Sequence, residues 1–288
     1  MYFNNKNNFF HGIMFHHFHN DDSHKKSQGS INKDDFYKIL KFIGIDNILN
    51  AQDFFIRLKE NKLKDRNVCL TFDDSIKSQF DIALPVLEDL KIKSFFFVYS
   101  SLFKGEMALY EVYRYFRMNY FKNIDEFYNN FFKYVNKDLS IFFRDNEKII
   151  QNAKSKFPFY SINDIKFRLI RDKFLNKSDY KKIMFKMFEG KNFQPKNHYK
   201  NIFMNKFDVN KLYKLGHLIG LHSHSHPHLL ENLSYEKQKK EYEENKSTLS
   251  EILNIDEDKI KFMSHPNGSY NSDTLKILKE LKIELGFK

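Results

Sequence analysis

The sequence predicts an α/β fold built on a mostly parallel sheet, open or closed into a barrel. Three observations predict it. Short apolar runs of strand type alternate with stretches of helical spacing. Acidic residues and histidines fall just past the ends of several of those runs, the edge where parallel α/β folds gather their ligands. The 288 residues, 41% of them apolar, suffice for a sizeable core, and only 9 Gly and 5 Pro exclude collagen-like and low-complexity chains.

Residues 9–19 read as a strand running into a histidine-rich loop. A helix follows over 34–42, with Phe36, Ile39 and Leu40 on one side, and Asn50 is placed to cap a second helix reaching Leu58. Val68 to Phe72 is a buried-type strand closed by Asp73 and Asp74. Pro85 suits the first turn of a helix ending near Leu90, where its missing N–H costs nothing. Residues 94–99 form another strand. From about 105 to 207 the texture changes to aromatic-rich helices, at 110–121, 124–135 and 180–188. The chain is therefore expected to be a single domain, 1–288, interrupted by a helical insertion at about 105–207. Alternation resumes with a strand at 218–222 and a long charged helix at 234–253 capped by Ser234. A strand at 260–263, a helix at 272–282 and a last strand at 283–287 complete it.

Composition excludes several classes. No apolar run approaches the roughly 20 residues of a membrane-spanning helix, so no transmembrane segment is predicted. The 48 Lys and Arg against 37 Asp and Glu leave +11, but the excess is spread over the chain. Lys237, Lys239 and Lys240 alternate with Glu236, Glu241, Glu243 and Glu244, a mixed helix face, and nucleic-acid binding is not expected. Cys69 is the one cysteine, so no intrachain disulfide and no thiolate metal cluster can form. The first residues, 1–6, lack a basic stretch leading into an apolar one, from which a cytoplasmic location is expected.

Three segments carry chemistry. Two adjacent carboxylates behind a buried strand, Asp73 and Asp74, can divide labour, one ligating a cation and one acting as base; alternatively they cap the next helix. His222, His224, His226 and His228 alternate through Gly220 to His228, where Gly216, Gly220 and Pro227 favour a strand end entering a tight loop over a helix. Neutral imidazoles with a carboxylate suit zinc and its first-row neighbours, and His224 and His228 are expected beside the ion rather than on it. In the third segment, Pro266 and Gly268 force a turn directly after a strand that ends at Ser264 and His265.

Together these segments resemble the polysaccharide deacetylase family, carbohydrate esterase family 4, also known as the NodB homology domain. Thr71 to Asp74 is similar to its Thr-Phe-Asp-Asp motif, and His222 to His226, followed by Pro227, to its His-Ser/Thr-x-x-His motif. Pro266-Asn267-Gly268 is similar to its Pro-containing turn, and Phe15-His16 to the aromatic-His end of its first strand. The likeness spans about residues 10–100 and 215–287. It implies a distorted or incomplete (β/α) barrel carrying a metal-dependent deacetylase. The resemblance makes Asp74, His222 and His226 the ligands of one divalent transition metal, zinc by default, with cobalt, nickel or iron suiting the same donors. It makes Asp73 the general base and puts Pro266 against the substrate.

Two departures stand out. Ser264 and His265 occupy the place where many members carry an arginine that braces the base. The late-strand histidine that many members use as general acid has no counterpart before Lys288, leaving His16 and His265 as candidates. Within the insertion, Arg114 and Tyr110 share a helix side and could pair with a phosphate or stack on a sugar. The leading expectation is a hydrolase removing an acetyl group, N-acetyl first, from a sugar bound for surface polysaccharide, whether free, nucleotide-linked or lipid-linked. The alternatives are a metal-dependent phosphoesterase and a carbohydrate-binding relative with impaired catalysis.

Overall fold

A computed structural model describes residues 11–20, 22–106, 108–135 and 138–288, so the start expected at Phe9 for the first strand lies outside the described residues. The chain divides into two compact units, 1–108 with 199–288, and 109–198.

The first unit is built on six parallel strands in the order β1-β2-β3-β4-β5-β6. They are β1 His11–Phe15, β2 Val68–Phe72, β3 Phe95–Val98, β4 Leu218–Leu221, β5 Phe262–Ser264 and β6 Leu285–Phe287. Sequential order among parallel strands is that of a (β/α) barrel. Both faces of the sheet are apolar, which explains why β3 reads as an unbroken Phe-Phe-Phe-Val run. Cys69, Phe95, Phe97 and Phe262, with Leu285 and Phe287, line the inner face, where the helix Ala51–Lys59 contributes Phe54 and Phe55. Leu70, Phe72, Phe96, Val98, Ile219, Leu221 and Met263 point outward into a second core shared with the flanking helices.

Glycine makes the inner face possible at two positions. A Cβ at Gly220 would stand 2.7 Å from the Phe262 carbonyl oxygen and from the Phe97 ring, and one at Gly12 would stand 2.7 Å from the Phe287 ring. A ring of β6 thus packs against the backbone of β1, although the two are the ends of the strand order. Among the described residues no hydrogen-bonded ladder joins β1 to β6.

Several elements differ from expectation in instructive ways. Asn50 precedes Ala51–Lys59, but its Oδ1 accepts the Lys93 N–H at 2.7 Å instead of capping the helix. Ser234 likewise sits at a helix start, that of Tyr235–Leu253, without a side-chain cap bond. Pro85 lies in the first turn of Leu84–Asp89, as expected, with a π-helical turn, Gln79–Ala83, leading into it. The helix Lys206–Lys214, which starts where the expected insertion ends and is not read from the sequence, belongs with the first unit because Val209 and Leu212 enter the outer core. The second unit contains the expected helices Leu109–Asn119, Ile124–Val135 and Lys177–Gly190. It also has Ser140–Asp145, Glu147–Lys156 and Ile162–Leu169, which are too short or too irregular in pattern to be read from sequence. No helix among the described residues is long and apolar enough to cross a membrane.

His217, just ahead of β4, is fully buried. Its Nδ1 accepts the Ser94 N–H at 3.1 Å, and its Nε2 lies 3.4 Å from Glu88 Oε1. Burial, reinforced by Lys93 and opposed by Glu88, pushes its pKa down from 6.5 to about 4. An unfolded chain takes up this proton at the higher pH, so the contribution is complete above about 6.5 and is lost as pH falls toward 4. His217→Asn, which keeps an acceptor for Ser94, is expected to flatten the loss of stability across that window by up to about 3 kcal/mol. Urea unfolding at pH 7 and pH 4.5 checks it.

Candidate active site

The polar residues singled out in the sequence emerge at the C-terminal ends of β1, β2, β4 and β5. The inner face supplies three of them by its two-residue period. In β2 the inward Thr71 is succeeded by Asp73, in β4 Gly220 by His222, and in β5 Phe262 by Ser264. The loops that follow are bent into positive φ at non-glycine residues: Asp74 at 74°, Ser75 at 56°, Ser223 at 62° and His226 at 52°. Such conformations cost of order 1–3 kcal/mol each and persist only where the surroundings enforce them. Here Ser223 Oγ accepts the His226 N–H at 3.1 Å, and the Ser75 carbonyl accepts from Met204 N at 2.8 Å. Gln79 Nε2, carried on the π-helical turn, donates to the carbonyls of Asp73 at 2.6 Å and His16 at 3.0 Å.

Three donor atoms converge at this edge. Asp74 Oδ1 lies 3.2 Å from His222 Nε2 and 3.1 Å from His226 Nε2, and the three can together hold a metal ion. The donor set fits such an ion. Asp74 Oδ1 is buried without a hydrogen-bond partner, and His222 Nδ1 lies 2.9 Å from the Ser264 carbonyl, to which it must donate. That bond leaves the Nε2 lone pair facing the carboxylate, and the spacings are near the roughly 3.3 Å between ligands of a tetrahedral site. The backbone of His222 is fixed as well. Its N–H donates to Asn245 Oδ1 at 2.9 Å, while Asn245 Nδ2 donates to the Val98 carbonyl at 2.9 Å.

Asp73 stands in a different environment. Its Oδ2 accepts from Ser264 Oγ at 2.9 Å and lies 4.0 Å from His222 Nε2, whereas Oδ1 is buried with no partner. Burial, with the Asp74 charge, raises its pKa above the usual aspartate value against the pull of His222, His16 and Ser264. Burial acts on Asp74 in the same sense, but His222 and His226 outweigh it and hold that carboxyl well below the usual range. Two neighbouring carboxylates are thereby driven apart, the pattern that separates a proton acceptor from a permanent anion.

His16 joins this group, its Nε2 3.5 Å from Asp74 Oδ2. His265 does not take the same direction as Ser264. It continues extended from β5 (φ −76°, ψ 118°), and its ring stacks on Tyr270 at 4.5 Å, on the side of Gly286 and away from the inner face. Pro266 is buried in the turn Pro266–Gly268. Tyr110 and Arg114 lie on Leu109–Asn119 in the second unit, Tyr110 exposed and Arg114 half-buried. His224 turns from the metal-ligand group to Ser100 Oγ, 2.9 Å away, and His228 is exposed. Ser225 donates through its N–H and hydroxyl to Glu241. Sequence reasoning missed Gln79, Ser100, Asn245 and Glu241. For Asn245 a signal exists, since Gln238, Tyr242, Asn245 and Leu249 fall on one buried stripe of their helix.

Residues 173–286 match the sequence model of a family described as polysaccharide deacetylase. That segment includes His222, His226 and the Pro266 turn; Asp73 and Asp74 lie ahead of it. Comparison with curated proteins finds no match. Among solved structures the chain is similar to the Streptococcus pyogenes deacetylase PplD in complex with acetate, at 17% identity and TM-score 0.53 over 94% of this chain and 79% of that one. It is similar to IcaB from Ammonifex degensii at 13% identity and TM-score 0.55, over 97% and 83% of the two chains. For the BpsB deacetylase domain from Bordetella bronchiseptica the values are 13% and 0.50, over 96% and 86%. At these identities the likeness is one of fold, and the fold is the distorted, incomplete (β/α) barrel of the polysaccharide deacetylase type.

Elemental analysis is expected to find about one transition metal ion per chain, and none in Asp74→Ala or His226→Ala, each of which removes one of three donors. A wild-type chain that takes up no metal from zinc or cobalt would refute the assignment of these ligands.

Proposed function

From the resemblance to polysaccharide deacetylases, held in common by motifs and fold, we propose that the protein hydrolyses an acetyl group, N-acetyl first, from an amino sugar or polysaccharide precursor. The observation that carries the proposal is the asymmetric hold on Asp73 beside the Asp74–His222–His226 group. Ser264 Oγ engages one carboxylate oxygen and leaves the other, Oδ1, buried without a partner.

Asp74, His222 and His226 would hold a divalent cation, zinc by donor type. When bound, that ion supplies a Lewis acid for the acetyl carbonyl and lowers the pKa of water. The remaining roles fall to the chain itself. Asp73 accepts the proton of the attacking water at Oδ1, for which its raised pKa is suited. Ser264 holds the carboxylate in orientation through Oδ2. His16, 32% exposed in its side chain and 3.5 Å from Asp74 Oδ2, would give a proton to the departing amine. His265 is set aside for this step because it faces Tyr270 on the other side of β5. Pro266, in the turn behind Ser264, would border the substrate.

No observation favours a phosphoesterase. Such sites commonly assemble two metals, and the described residues bring together one candidate group. An intact carboxylate pair with its histidines likewise gives no support to a catalytically impaired relative.

Acetate release from N-acetylated amino-sugar oligosaccharides tests the reading. Asp73→Asn is expected to lower the rate by at least about 10²-fold while metal content stays unchanged, and His16→Ala to lower kcat more than it alters KM. Undiminished turnover in Asp73→Asn would sink the mechanism.

A further inference from the structure

The helical unit is folded around aromatic rings, and its arginines differ in what meets them. Arg168 pairs with the buried Asp164 at 3.0 Å, and Arg171 donates to both oxygens of Asp172 at 2.7 and 2.9 Å. Arg114 has Glu111 beside it. Arg117 makes no ion pair among the described residues. Its guanidinium lies 5.6 Å from the Phe167 ring centre and 5.9 Å from that of Phe127, and its Nε is buried without a partner.

A second polar group is left unused beside it. Tyr113 stands four residues earlier, on the same side of Leu109–Asn119. It is only 8% exposed, and its hydroxyl has no partner. Tyr180 packs edge-on against the Tyr113 ring at 5.4 Å. Tyr180 also packs on Phe167, the centroids 6.3 Å apart, and Phe167 is the ring beside which Arg117 lies. Arg171 also lies over Phe167, at 5.8 Å. Two guanidinium groups and the Tyr180 ring are thus gathered about Phe167, with the Tyr113 ring against Tyr180.

A buried guanidinium N–H and a buried hydroxyl, each without a partner, have given up solvation that nothing in the fold replaces. One ligand relieves both. A phosphoryl group brings negative charge and several acceptor oxygens, and guanidinium forks and hydroxyls are its usual partners. We infer that Arg117, Tyr113 and Tyr180, with Arg171 at their edge, form a binding site for a phosphoryl group within the helical unit. The site uses none of the residues assigned to acetyl hydrolysis and stands independently of that reading.

Calorimetric titration of the full chain with inorganic phosphate, inorganic pyrophosphate and a nucleoside diphosphate, at ionic strength matched with chloride, tests it. Saturable binding of at least one probe is expected, weakened at least about 10-fold in Arg117→Gln and weakened in Tyr113→Phe, and unchanged in His226→Ala. Tighter binding of pyrophosphate or the nucleotide than of phosphate would assign a diphosphate ligand; equal binding would assign a single phosphoryl group. Without ligand, Arg117→Gln is expected to melt no lower than wild type, because it removes an unneutralised charge. No saturable binding by any probe overturns the inference. So does binding lost in His226→Ala but kept in Arg117→Gln, which would place the anion at the metal ligands. A ligand-free Arg117→Gln that melts well below wild type, together with unaltered binding in Tyr113→Phe, would make Arg117 a structural stacking partner only.

Discussion

Successive side chains of a strand point to opposite faces, and in this barrel that period carries each inner column from an apolar floor to a polar mouth. Cys69, Thr71 and Asp73 form one such column, Leu218, Gly220 and His222 another, and Phe262 and Ser264 a third. Parallel ladders set these columns side by side, so the hydroxyl of Ser264 reaches Asp73 across 191 residues of sequence. A shift of one residue in any strand would turn its polar residue into the outer core. The packing of Phe95, Phe97, Phe262 and Phe287 against two glycines is therefore also what aligns the chemistry.

The loops above the columns are held by groups that never face the candidate ion. Gln79 ties Asp73 to the end of β1, and Asn245 ties β3 to β4 beneath His222. Each is a single buried amide, Gln79 donating to two carbonyls and Asn245 using donor and acceptor together, and each comes from a helical segment outside the sheet. The strained backbone at Asp74, Ser75, Ser223 and His226 is affordable because these bonds leave it little alternative.

Much of this arrangement can be read from the sequence where the chemistry is local. Val68 to Phe72 shows its strand and its carboxylates in one stretch, and Gly220 to His228 shows both strand end and loop. Long-range partners are hidden for identifiable reasons. Asn245 sits in a helix crowded with Lys and Glu, whose surface pattern masks a buried polar stripe. The side chain of Asn50 is claimed by Lys93, forty-three residues away, which no capping rule anticipates. His265 was legible in principle: with Ser264 inward, the next residue must face outward. In the second unit, helices such as Ser140–Asp145 and Glu147–Lys156 are joined by a single residue and blur one another's periodicity.

The contact of Phe287 with Gly12 has a consequence for motion. Every other junction of the barrel is a ladder of directional hydrogen bonds, but β1 and β6 meet through an aromatic ring against bare backbone. Apolar contact resists separation without fixing register, so this seam can slide or part while every ladder stays intact. It is the barrel's softest line and the natural first step of any partial opening. His16 rides on the end of β1, along that line, and its tie inward is the bond from Gln79 to its carbonyl. The imidazole nearest Asp74 from outside the ligand group is thus mounted on the barrel's most compliant edge, while His222 is anchored between two paired strands.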